Sequence, residues 1–140
     1  MKIVIINGPN LNLLGKREPS IYGTRSMEQV LLDIQRAYPE LYLEYHQSNH
    51  EGDLIDWIQE LEVDGIILNA GGYTHTSVAL RDAIEDSDIP VVEVHITDIY
   101  KREAFRQTSL LTGVCAHSII GIGTECYAKG VEWIINEKNK

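Results

Sequence analysis

Short apolar runs rich in β-branched residues alternate with stretches of helical spacing along the whole chain, and this alternation restricts the fold more than any other feature. The runs are Ile3 to Ile6, Leu41 to Tyr45, Gly65 to Asn69, Pro90 to His95 and His117 to Gly123. Most are continuously apolar, as strands buried on both faces are. Leu41 to Tyr45 instead alternates apolar with polar, the pattern of a half-exposed edge strand. Between the runs lie helical patterns. Ser26, followed three residues on by Gln29, has the form of a capping box, and Met27, Val30, Leu31 and Ile34 follow on one face. Pro39 stops that helix. Leu54, Ile55, Ile58 and Leu61 mark a second helix. Thr76 or Ser77 caps a third through Ala79, Leu80, Ala83 and Ile84. A short helix is expected around Lys101, Arg102 and Arg106. A last one runs from about Glu125 to Asn136, with Tyr127, Val131, Ile134 and Ile135 on one face.

Strand and helix in strict alternation mean a parallel sheet with helices on both faces and right-handed crossovers. With five strands the expected fold is an α/β, flavodoxin-like three-layer sandwich of strand order 2-1-3-4-5. At 140 residues it is read as one domain, 1–140. Ligands of such sheets bind beyond the carboxyl ends of the strands, at the switch point between strands 1 and 3. Three loops therefore carry the candidate site: those after strand 1, after strand 3 (Asn69 to His75) and after strand 4 (from His95).

The loop after strand 1, NGPNLNLLGKREPSIYGT from Asn7 to Thr24, shows no periodicity. Loops of this length inside compact domains are uncommon and usually functional. Three glycines and two prolines shape its backbone, and Arg17, Glu18 and Tyr22 are its reactive groups. A phenol, with a pKa of about 10, is a weak base at neutral pH unless a guanidinium beside it favours the phenolate. An ordinary surface loop with an incidental ion pair is the competing reading.

Several uses of the fold are excluded by residue. A phosphorelay receiver needs an acidic pair after strand 1 and an Asp ending strand 3, where this chain has Asn7 and Asn69. A flavin phosphate loop needs amide donors where Pro9 has none. No GxGxxG or Walker A motif is present, and Gly121 with Gly123 reads as strand-helix packing. Glu93 and His95 share a strand face and could ligate zinc with His75, but no metal triad is coherent, and no metal is expected. Lys16 and Lys101 are the only lysines near the loops, so a Schiff base has weak support. The net charge of −9 speaks against nucleic acid or an anionic membrane as partner. Cys115 and Cys126 are too few for a disulfide framework, and the chain is expected to be cytoplasmic. No apolar run is long enough to span a bilayer.

Asn7 to Gly23, Gln47 to Gly52, Asn69 to Asp82, Glu93 to His95 and Arg102 to Arg106 together resemble the motif series of the type II 3-dehydroquinate dehydratase family, in order and at its spacing. The resemblance implies anti elimination of water from 3-dehydroquinate through an enolate, without cofactor, metal or imine. It implies a role in aromatic amino-acid biosynthesis or quinate breakdown. By resemblance Asn7 to Leu14 is a fixed floor and Gly15 to Gly23 a hinged lid with Pro19 stiffening it, Tyr22 is the base, Arg17 the lid residue that stabilises the transition state, and His95 the proton donor. Asn10 holds a water at the enolate oxygen, and Glu93 orients His95 or the lid. Asn69, His75, Ile96, Thr97 and Arg106 match substrate-binding positions. Asp82 matches a residue that reaches the site from a neighbouring subunit, in a homo-oligomer that is a trimer or a dodecamer of four trimers. Thr97-Asp98 departs from the family's Ser-Asn. It is expected to place a carboxylate near an anionic substrate unless Lys101 or Arg102 pairs with it. Tyr100 is expected to pack at a helix entry. A non-catalytic ligand-binding protein of the same fold is the alternative.

Overall fold

The structure, a computed structural model, describes residues 1–140. Five parallel strands form one sheet of order β2-β1-β3-β4-β5: β1 Lys2–Asn7, β2 Tyr42–Gln47, β3 Gly65–Asn69, β4 Val91–His95 and β5 His117–Ile120. The helices are α1 Pro19–Tyr22, α2 Met27–Ala37, α3 Glu51–Glu60, α4 Val78–Glu85 and α5 Glu125–Lys138. This is the expected fold and strand order, with alternating β2 at an edge.

The pleat of β1 divides the core. Ile3 and Ile5 pack with Val30 and Ile34 of α2 and Val131 and Ile134 of α5. Val4 and Ile6 face the other way, onto Leu54 and Ile58 of α3 and Leu80 and Ile84 of α4. Successive strand residues point to opposite faces, so a continuous apolar run fills two layers at once. The capping box forms as its sequence dictates: Ser26 Oγ accepts from Gln29 N–H, and Gln29 Oε1 accepts from Ser26 N–H. Ser77, rather than Thr76, caps α4 by accepting from Leu80 N–H.

Three local expectations change. The loop after β1 is not structureless: it holds a 3-10 turn at Leu11–Leu13 and the short α1. The segment after β4 is two 3-10 turns, Ile99–Lys101 and Ala104–Arg106, rather than one helix. Tyr100 does not pack at a helix entry but stands exposed. β5 ends at Ile120 because Gly121 turns with φ +84°, in the left-handed region that favours glycine. A Cβ there would also lie 2.9 Å from Cβ of Asp98.

Candidate active site

A cleft opens at the carboxyl ends of β1, β3 and β4. Asn10, Arg17, Tyr22, Asn69, His75, His95, Ile96, Thr97 and Arg106 all line it, together with Arg102. Of the expected site residues, only Glu93 and Asp82 stand outside this lining. Glu93 lies buried beneath His95. Asp82 sits on the exposed side of α4.

The floor is set by register. Asn7 and Asn69 are side by side where β1 pairs with β3. Gly8 follows so closely on β3 that a Cβ there would meet the Ala70 carbonyl oxygen at 2.5 Å. Asn10 takes the left-handed conformation, φ +69°, and its N–H donates to Asn49 Oδ1 at 3.0 Å. Gln47 Nε2 donates to the same oxygen and to the Gly8 carbonyl. Tyr73 Oη donates to the Asn49 carbonyl at 2.8 Å. Asn49 thus ties together the loops after β1, β2 and β3, a role its motif did not reveal.

Arg17 and Tyr22, from the segment expected to be a lid, line the cleft beside Pro9, Asn10 and Leu11 of this floor. Gly15 and Gly23, at the two ends of that segment, have φ of +93° and +82°. Both lie in a backbone region that only glycine adopts readily. Tyr22 is itself buried, with the Arg17 guanidinium 4.4 Å from its ring centroid. The cation on the phenol oxygen itself is Arg102, whose Nη1 donates to Tyr22 Oη at 2.9 Å. Arg17 is the guanidinium expected there, and Arg102 is expected only as a partner for Asp98. Asp98 in fact caps Tyr100 N–H and does not line the cleft, so its carboxylate adds no charge to the lining. Beyond the lid, Arg25 bonds Asp33 of α2 and Glu125 of α5, which anchors the chain just after Gly23.

Two histidines enter the cleft, each held by a different ring nitrogen. His95 Nε2 is 2.7 Å from Glu93 Oε2. An ionised carboxylate only accepts, so Nε2 carries the hydrogen and Nδ1 is the nitrogen left for the cleft. His75 Nδ1 is 2.8 Å from the Thr108 carbonyl oxygen, so there Nδ1 carries the hydrogen and Nε2 is left. Arg106 is held at Nε by Glu103, 3.2 Å away, which leaves its two terminal nitrogens for a ligand.

Glu93 is 1% exposed, yet four groups donate to it. His95 Nε2 and Ser109 Oγ reach Oε2, while Thr112 Oγ1 and Ser118 Oγ reach Oε1. Burial alone would raise the carboxyl. The hydrogen bond and charge of His95, with the Ser109 and Thr112 hydroxyls, outweigh it and hold the carboxyl down at about 2. A permanent negative charge therefore sits behind His95. None of the three hydroxyl residues stands out in the sequence, nor does Tyr127 Oη, which bridges Asn7 and Asn69 below the floor. One rule gives a signal for all four: a buried phenol or carboxylate must find partners.

What this arrangement can do is move protons. A phenol oxygen beside a guanidinium and an imidazole backed by a carboxylate line one cleft, and three arginines line it with them.

The family model described as dehydroquinase class II matches residues 1–135. A 3-dehydroquinate dehydratase from Halothermothrix orenii is 48% identical over 139 residues, 96% of this chain and 94% of that protein. One from Campylobacter jejuni is 50% identical over 139 residues, 96% of this chain and 87% of that protein. The crystal structure of a type II dehydroquinase from Butyrivibrio crossotus superposes with a TM-score of 0.92 at 42% identity, covering 96% of this chain and 97% of that one.

Proposed function

The chain belongs to the class II dehydroquinase family, and from that premise we propose that it dehydrates 3-dehydroquinate to 3-dehydroshikimate by anti elimination. The observation that carries the reading is the pairing of Arg102 with the Tyr22 oxygen, in one cleft with a His95 whose Nε2 is fixed by Glu93.

The hydrogen to be removed lies α to a ketone and is weakly acidic. Tyr22 takes it as phenolate, with Arg102 on the oxygen and Arg17 over the ring holding negative charge there. The electrons pass into an enolate. Asn10 holds a water against the enolate oxygen, a preorganised donor of the kind that carries much of many rate enhancements. The enolate re-forms the ketone and expels the hydroxyl from the opposite face. His95 enters the step as the imidazolium, its Nε2–H held by Glu93, and donates its Nδ1 proton to the departing hydroxyl, so that water leaves. Tyr22 has then gained one proton and His95 lost one, and exchange with solvent restores both. The carboxylate of the substrate meets Arg106, whose free terminal nitrogens suit a directed, charge-assisted contact. Asn69, His75, Ile96 and Thr97 hold the remaining oxygens. Asp82, exposed on α4, completes the site of a neighbouring subunit in a trimer or dodecamer. The reaction serves aromatic amino-acid biosynthesis.

Ultraviolet absorbance of the conjugated enone, followed on adding 3-dehydroquinate, tests this directly. The expected result is a steady rise with the wild type and none with Tyr22→Phe, which still binds the product. Borohydride with substrate leaves activity intact, since no imine forms. A wild type that produces no enone sinks the proposal, and a Tyr22→Phe enzyme that turns over normally removes the base.

A further inference from the structure

Beneath the cleft a chain of hydrogen bonds runs in one direction. Asn7 and Asn69 stand beside each other on β1 and β3, on the face where Ile3, Ile5 and Ile67 pack. Tyr127 of α5 reaches the same face and is 0% exposed. Its Oη accepts from Asn69 Nδ2 at 3.0 Å and donates to Asn7 Oδ1 at 2.8 Å. Asn7 Nδ2 donates in turn to Tyr45 Oη at 3.3 Å. At the cleft end, Gly71 N–H donates to Asn69 Oδ1 at 3.3 Å.

The polarity of every link follows from the first. A backbone N–H can only donate, so Asn69 Oδ1 must face Gly71 and its Nδ2 must face Tyr127. Tyr127 already receives a hydrogen from Asn69 and must give its own to Asn7. Asn7 is thereby oriented, with Nδ2 toward Tyr45. Turning either amide over would set donor against donor or acceptor against acceptor in a buried place, where an unmade hydrogen bond is costly.

We infer that Tyr127 is a positioning residue for the reaction, fixing through this chain the face of the Asn69 amide that the substrate meets. The inference takes the proposed dehydration as its premise. Burial raises Tyr127 well above the ordinary phenol value, so it keeps its proton and its role as donor. With one Nδ2 hydrogen and one Oδ1 lone pair already used, Asn69 offers substrate a donor on its Tyr127 side and an acceptor on its Gly71 side. A hydroxyl donating on the Tyr127 side would be refused.

Tyr127→Phe keeps the ring and deletes the oxygen. Tyr45→Phe also deletes one link, but two steps from Asn69 and outside the cleft lining. The expected result is a fall in kcat/KM for 3-dehydroquinate of about 10- to 30-fold in Tyr127→Phe, mostly through KM, with Tyr45→Phe within about twofold of wild type. Equal losses in the two variants, or none in Tyr127→Phe, overturn the inference. A second readout is independent of turnover: nuclear magnetic resonance of the Asn69 side-chain amide. In the wild type the Nδ2 hydrogen bonded to Tyr127 exchanges slowly, and in Tyr127→Phe about tenfold or more faster. Fast exchange in the wild type, or no acceleration in the variant, overturns the inference even if the substrate were another. A wild type that fails to dehydrate 3-dehydroquinate while showing the slow exchange overturns the proposed function alone.

Discussion

Glu93→Gln probes the charge behind His95. The glutamine fills the same volume. If its oxygen takes the place of Oε2, it keeps the bonds from His95 and Ser109, while Thr112 and Ser118 turn their hydroxyls to accept from the new NH2 group. What is lost is the charge. The carboxyl falls from its ordinary 4.5 to about 2 on folding, which at roughly 1.4 kcal/mol per pH unit is about 3 kcal/mol. The folded value is depressed, so this stabilisation is fully present above about 4.5 and is lost as pH falls through about 2. Urea unfolding of both proteins from about pH 5 to pH 2 reads it as a difference, in which the other carboxylates cancel. The wild-type advantage should shrink by about 3 kcal/mol over that window. Turnover at neutral pH should also fall, by roughly 10- to 100-fold, because a charge-assisted hydrogen bond worth about 1.5–3 kcal/mol orients the proton donor. An advantage that stays constant with pH would refute an ionised Glu93. Full turnover in the variant would refute its action through His95.

Arg102→Gln should lower kcat by roughly 10- to 100-fold with a smaller change in KM, since its contact to the Tyr22 oxygen matters most when that oxygen is charged. Steady-state kinetics check this, with Arg102→Lys recovering part of the loss. Asn49→Ala should remove the acceptor that holds Asn10 N–H in its left-handed conformation and cost about 1–2 kcal/mol of stability by urea unfolding. It should also raise KM, because the loops after β1 and β2 come loose from one another. Gly23→Ala meets no atom within 4 Å, yet it forces a Cβ onto φ +82° and ψ 177°. The strain of about 1–3 kcal/mol should appear as reduced activity with little change in Tm, because the hinge lies outside the sheet. A Tm loss equal to that of a core substitution would contradict this.

The frame of this molecule was legible because its signals are local. β-branched runs fix the strands, Ser26 and Gln29 fix the start of α2, and alternation fixes the order of the sheet. The lining of the cleft was legible for a different reason: the strand ends put Asn69 and His95 there, and the motifs supplied Tyr22, Arg17 and Arg106. What the sequence hid are contacts that join distant positions. Arg102 meets Tyr22 across 80 residues, and Tyr127 meets Asn7 across 120. In the helical pattern Tyr127 is simply one more member of the apolar stripe with Val131 and Ile134.

Some of this was nonetheless derivable. Period-two parity places Asn7 with Ile3 and Ile5, and Asn69 with Ile67, all on the face that α5 covers. Two amides buried side by side cannot satisfy each other completely, and a tyrosine on the covering helix is the one side chain of that stripe with a hydroxyl to offer. The same reasoning applied to Glu93 demands several donors, since a buried carboxylate is tolerated only when fully bonded. It does not say which. Ser109, Thr112 and Ser118 are ordinary loop and strand hydroxyls until β4 and β5 are paired, and that pairing sets Glu93 opposite Ser118. The need for a partner is thus written in each strand, while its identity is written only in the register between them.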